Sequence, residues 1–213
     1  MRLLLALGVW VVAVVGAVAI GSAVETSTGG TGAGSSFSGT AGSSGTSGDF
    51  DASSVGAADS QSLFRKTNFP RALAAARARL GSNAQLNNFV LYPGYLSVSA
   101  ATGSSELELY VDARGATRTV SAPRNPAGDT VFSLSGIGTN APSALAHRIS
   151  RRAHVPAAQL QYMVAQLDPT TKQLRWLVYP VQGNRVEYFE ARGASGPLLE
   201  YLHNGATGPQ PLR

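Results

Sequence analysis

The chain has 213 residues with a net charge of +5 and 14% charged residues, a length that suits one or two small domains and excludes a multidomain machine. Cysteine is absent, which excludes a disulfide scaffold, a thiol nucleophile, a cysteine-bearing zinc site, an iron–sulfur cluster and a lipidated cysteine. With 24 glycines and so few charges, at least one segment is expected to be neither globular nor strongly charged.

Leu3 to Val24 carry no charge, and about 22 residues at ~1.5 Å rise reach about 33 Å, enough to cross a bilayer as a helix. Residues 1–24 are therefore read as an uncleaved signal anchor. A cleaved secretory signal is the alternative, for which Ala17-Val18-Ala19 and Gly21-Ser22-Ala23 supply small residues. Arg2 precedes the run and no Lys or Arg follows it until Arg65. The positive-inside rule then keeps the N-terminus cytoplasmic and the rest extracytoplasmic, secreted if the segment is cleaved.

Residues 25–61 are mostly Gly, Ser, Thr and Ala and have nothing from which to build a core, so they are expected to be a disordered tether. As a flexible coil its ends lie on the order of 35 Å apart. It contains neither a G-x-S-x-G elbow nor an N-x-[ST] acceptor. Beyond it, residues 62–213 hold 16 of the 17 Lys and Arg but 8 of the 12 Asp and Glu, a net of +8.

The folded domain is expected over 62–203, with a disordered tail at 204–213. Its first helix runs from Phe69 to Leu80, with Thr67 or Asn68 as N-cap, Pro70 in the first turn and Gly81 at the C-terminal stop. Phe69, Leu73, Ala76 and Leu80 form its apolar stripe. Strands follow at 88–92, 95–101, 106–112 and 117–121, with Pro93-Gly94 turning the first pair. Gly136-Ile137-Gly138 lacks the lysine and third glycine of a phosphate loop and reads as a connector. A second helix runs from Ala141 toward His154, with Asn140 as cap, Pro142 in its first turn, Leu145, Ile149 and Ala153 as its stripe, and Pro156 as its stop. Strands are expected again at 161–167, 173–181 and 185–191, and 197–202 forms a fourth strand or a short helix. Leu174-Arg175-Trp176-Leu177-Val178-Tyr179 has apolar groups on both alternating faces, so this strand is expected to be central and covered on both sides.

Tyr110-Val111-Asp112-Ala113-Arg114-Gly115-Ala116 recurs as Tyr188-Phe189-Glu190-Ala191-Arg192-Gly193-Ala194, each behind a helix and strands in the same order. A tandem repeat follows, units about 62–125 and 137–203. The fold class is α+β: two α-β-β-β(β) repeats forming an antiparallel sheet with both helices on one face, behind a transmembrane helix and a disordered linker. The other sheet face is then the natural binding surface.

The second unit, residues 141–195, resembles a PepSY-type module: a short Ala-rich helix, a Val-Pro break, a hairpin, and a strand ending in Glu190-Ala191-Arg192-Gly193, matched by Asp112-Ala113-Arg114-Gly115 in the first unit. The tandem outline is also similar to the β-lactamase-inhibitor-protein fold. The resemblance implies a noncatalytic module of cell-envelope or secreted proteins that binds or restrains other proteins, peptidases among them.

Catalytic chemistry finds little support in the residues. The three histidines include His147 and His154, seven apart, and about 10 Å along a helix is too far for one metal, so neither a metal nor a cofactor is expected. Asp112 with Arg114, and Glu190 with Arg192, read either as paired functional sites or as β-turns with exposed charges. The candidate binding residues are Tyr110, Arg114, Tyr188 and Arg192. The expected partner is an envelope protein at the sheet face; the alternative is an anionic envelope polymer or a lipid headgroup surface, met by the arginines. Nucleic acid is not expected outside the cell.

Overall fold

The protein is described here from a computed structural model covering residues 45–47, 55–102, 105–123, 131–202 and 210–212. The expected membrane span at 1–24 lies outside the described residues. Among those described, no helix is long and apolar enough to cross a membrane.

Helix α1 (Asn68–Leu80) buries Phe69, Ala72, Leu73 and Ala76, the i, i+3, i+4, i+7 face of a helix lying on a sheet. Thr67 is its N-cap residue, though without a side-chain cap hydrogen bond. Instead the Asn68 amide donates to the carbonyls of Ser60 at 2.8 Å and Ser62 at 3.0 Å, fastening the entering loop. Four strands follow: β2 (Gln85–Leu91), β3 (Tyr95–Thr102), β4 (Ser105–Asp112) and β5 (Thr117–Pro123). Helix α2 (Ala141–Arg152) then buries Ala141, Pro142, Leu145, Ala146 and Ile149, again without a side-chain cap from Asn140. Behind it come β7 (Leu160–Leu167), β8 (Leu174–Pro180), β9 (Val186–Arg192) and β10 (Leu198–Leu202). Residues 197–202 thus resolve as a strand.

These strands and three short ones, β1 (Gly45–Ser47), β6 (Phe132–Ser133) and β11 (Gln210–Pro211), form an 11-stranded antiparallel sheet. Its order is β1-β5-β4-β3-β2-β7-β8-β9-β10-β11, with β6 beside β2. Two helix-plus-four-strand halves meet where β2 pairs β7, through Val90 opposite Val164 and Leu91 opposite Met163. Both helices and both halves contribute to one core. Its centre is aromatic: Phe89 meets Phe69 edge to face at 6.3 Å from one side and Trp176 at 5.7 Å from the other. Burial of these large side chains on one face of every strand is what holds two helices to one sheet.

One strand boundary needs correction, and two short stretches add to the sheet edges. Strand β2 begins at Gln85, three residues early, because a bulge between Leu86 and Asn88 resets the alternation and turns Leu86 and Phe89 to the same side. Within the stretch read as a tether over 25–61, residues 25–44 and 48–54 lie outside the described residues, Gly45–Ser47 pairs with β5, and Ala57 is buried. The tail read over 204–213 also pairs, through Gln210–Pro211 on β10 and the Leu212 N–H on the Leu198 carbonyl at 3.0 Å. In both places an unpaired sheet edge supplies the hydrogen bonds that composition alone does not reveal.

Candidate functional site

Strand alternation sends Leu109 and Val111 to the core and Glu106, Glu108 and Tyr110 to the opposite face. Alternation on β3, β7, β8, β9 and β10 likewise puts a tyrosine on that face. Residue register then joins them: Tyr162 lies opposite Tyr179 and Tyr188 opposite Tyr201, and Tyr92 and Tyr95 close the β2–β3 hairpin with the Tyr92 N–H on the Tyr95 carbonyl.

All seven tyrosines of the chain fall into this one row. From Tyr110 it passes to Tyr95 at 6.0 Å between ring centroids, to Tyr92 at 4.6 Å, to Tyr162 at 5.7 Å, to Tyr179 at 4.5 Å, to Tyr188 at 5.7 Å and to Tyr201 at 4.3 Å. Stacked pairs, with ring planes within 19° of each other, alternate with tilted ones at 38° to 48°. Inner rings have a ring neighbour on each side, so the row presents edges and hydroxyl groups outward, not open π faces.

Burial among neighbouring rings raises every one of these phenols above the usual tyrosine value, to about 12 for Tyr95, Tyr179 and Tyr201. A desolvated phenolate is costly, so the row is neutral and keeps its hydroxyl protons. Beside it, Glu190 accepts from Arg175 Nη1 and from the Tyr201 hydroxyl, both at 3.1 Å. On the other half Ser97 Oγ donates to Glu108 Oε1 at 3.1 Å. Leu177 lies opposite both Val164 and Glu190 and is only 7% exposed, so the second cover expected over β8 is supplied by the long side chains of its own sheet.

Of the four candidate residues the structure brings Tyr110 and Tyr188 into the same row, separated by four other rings. Both arginines engage carboxylates. Arg114 folds back on Asp112 at 3.1 Å, and Asp112 Oδ1 accepts the backbone N–H groups of Arg114 and Ala116, both at 2.9 Å, so this pair builds the β4–β5 turn. Arg192 reaches Asp168 at 3.9 Å, while Glu190, on the same face of β9, takes Arg175 from β8. The repeated motif is therefore a turn that ends two equivalent hairpins, with Gly115 and Gly193 at φ of 88° and 62°.

Tyr92, Tyr95, Tyr162, Tyr179 and Tyr201 escape sequence reasoning. The signal was present as one tyrosine on the polar side of each of six strands and one in the β2–β3 hairpin; the row appears only once register is known. Among the described residues no three His, Asp or Glu gather as metal ligands. A scan of family models finds no match to the chain, and searches of curated proteins and of solved structures find none either.

Proposed function

We propose that this protein is a membrane-anchored, extracytoplasmic, noncatalytic binding module that presents its tyrosine row to a partner protein of the cell envelope. The single observation that carries the reading is the convergence of all seven tyrosines on the sheet face opposite the core. Tyrosine supplies large contact area with only two side-chain torsions to freeze, and it is enriched where protein interfaces are tightest. Seven rings at the ~4.8 Å strand spacing cover about 29 Å, the breadth of a standard footprint of about 800 Å².

Ring geometry favours a protein over a sugar or a nucleobase. Either of those needs an open aromatic face to stack on, and the inner rings here spend their faces on one another. Edges and neutral hydroxyls suit backbone carbonyls and apolar side chains. The uncharged run at Leu3–Val24, Arg2 before it and the tether after it support an external location. The helix-and-strands order of the two halves, each ending in the same turn motif, supports the tandem PepSY-like repeat.

The test is a comparison of pull-downs from the native membranes with wild-type protein and a Tyr179→Ser/Tyr188→Ser variant that folds. A saturable partner that persists at moderate salt and is lost with the two tyrosines supports the reading. Recovery that ignores the tyrosines and vanishes with salt removes it.

A further inference from the structure

On the helix side of the sheet, His147, Arg148, Arg151, Arg152 and His154 line one open pocket of about 540 Å³ at the C-terminal end of α2. Every lining residue is a cation or a potential cation. Basic residues in a last helical turn ordinarily offset the helix dipole, which amounts to roughly half a negative charge. Three arginines exceed that several-fold. Among the described residues none of the three pairs with a carboxylate. Two of them are instead held in place by backbone: Arg148 donates to the carbonyls of Ala194 at 2.7 Å and Gly196 at 2.5 Å, and Arg152 to that of Leu212 at 3.3 Å. These bonds fix position without cancelling charge. Desolvation and the neighbouring Arg152 charge both press the Arg148 value downward.

A second observation concerns His154. It occupies the left-handed position just past the helix, with φ of 56°, where glycine is the unstrained residue. A non-glycine residue there stores strain, and it places an imidazole beside the three guanidinium groups.

We propose that this pocket binds a phosphoryl group. A phosphate monoester carries about −1.5 to −2 charges and three acceptor oxygens, which suits convergent planar guanidinium forks better than a single carboxylate does. The group can arrive on a soluble phosphate ester or on an anionic lipid headgroup. In either case the binding is separate from that of the tyrosine row, and its test does not depend on a protein partner.

The experiment is calorimetric titration of the full chain, in neutral detergent micelles, with pyrophosphate. The expected result is saturable one-to-one binding, weakened about tenfold or more by Arg151→Gln and by His154→Gly. Arg79→Gln, the same charge change in the last turn of α1, leaves it unaltered. His154→Gly keeps a melting temperature at or above that of the wild type, so its loss of binding does not come from unfolding. Absence of saturable binding overturns the proposal, as does equal weakening by Arg79→Gln, which reduces the effect to net charge. Doping the micelles with phosphatidic acid, whose headgroup is a phosphate monoester, separates the sources: competition with pyrophosphate identifies the headgroup, indifference identifies a soluble ester, and each sustains the site.

Discussion

Tyr92 and Tyr162 meet across the β2–β7 junction with ring centroids 5.7 Å apart, and they join a run of three tyrosines from the first half of the domain to a run of four from the second. Beneath them, on the core side, Phe89 and Trp176 span the same junction at 5.7 Å. The two halves are thus fastened on both faces of the sheet.

The fastening predicts one cooperative unfolding transition for the whole domain. Tyr162→Ala, which removes a ring with two aromatic neighbours, is expected to cost about 1–2 kcal/mol, and Tyr162→Phe much less, since packing dominates. Trp176→Ala is expected to cost about 3–5 kcal/mol. Urea denaturation followed by far-ultraviolet circular dichroism checks all three; two separate transitions would mean that the halves fold independently.

The β9–β10 turn predicts a steep difference among glycines. A Cβ on Gly196 would fall 2.1 Å from the Arg192 carbonyl oxygen, an overlap that backbone cannot relieve, so Gly196→Ala is expected to lower the melting temperature sharply. The same change at Gly136 or Gly138, where a Cβ meets nothing within 4 Å, is expected to be nearly neutral. Thermal melts of the three variants decide.

The tyrosine row predicts stability that fails in alkali. Folded-state phenol values are raised, to about 12 for Tyr95, Tyr179 and Tyr201, so in the window between the ordinary value of about 10 and about 12 the unfolded chain has lost protons that the folded one retains. The contribution is therefore complete below about pH 10 and is lost as pH rises toward 12. Absorbance at the tyrosinate band should stay low until the fold gives way, then rise together with loss of circular dichroism. A full set of phenols ionising near the ordinary value while the fold persists would contradict the row.

Much of the fold could be read locally and the site could not. Pro70 and Pro142 in first turns, Gly81 at a helix end and the alternation of Glu106 to Val111 mark elements to within a few residues, because each is a property of neighbouring residues. The β2 bulge, the edge pairing of Gly45–Ser47 and the β2–β7 junction are long-range choices made by the core and by unpaired sheet edges. Tyr110 and Tyr188 stand out in sequence only because the repeated turn motif begins with them. Their five companions are recruited by register across residues far apart in the chain. Likewise Arg192 looks paired with Glu190 by proximity in sequence and shares its face of β9, yet each finds its counter-charge on another segment.

The most direct test of the central claim is site-specific photo-cross-linking in native membranes, with a benzophenone amino acid in place of Tyr162, in the middle of the row, and of Arg79 on α1. A discrete protein adduct is expected from the Tyr162 position, abolished when Tyr188→Ser and Tyr201→Ser are added in a folded protein, and none from Arg79. Adducts from Arg79 alone, or from both positions irrespective of the tyrosines, would contradict that claim.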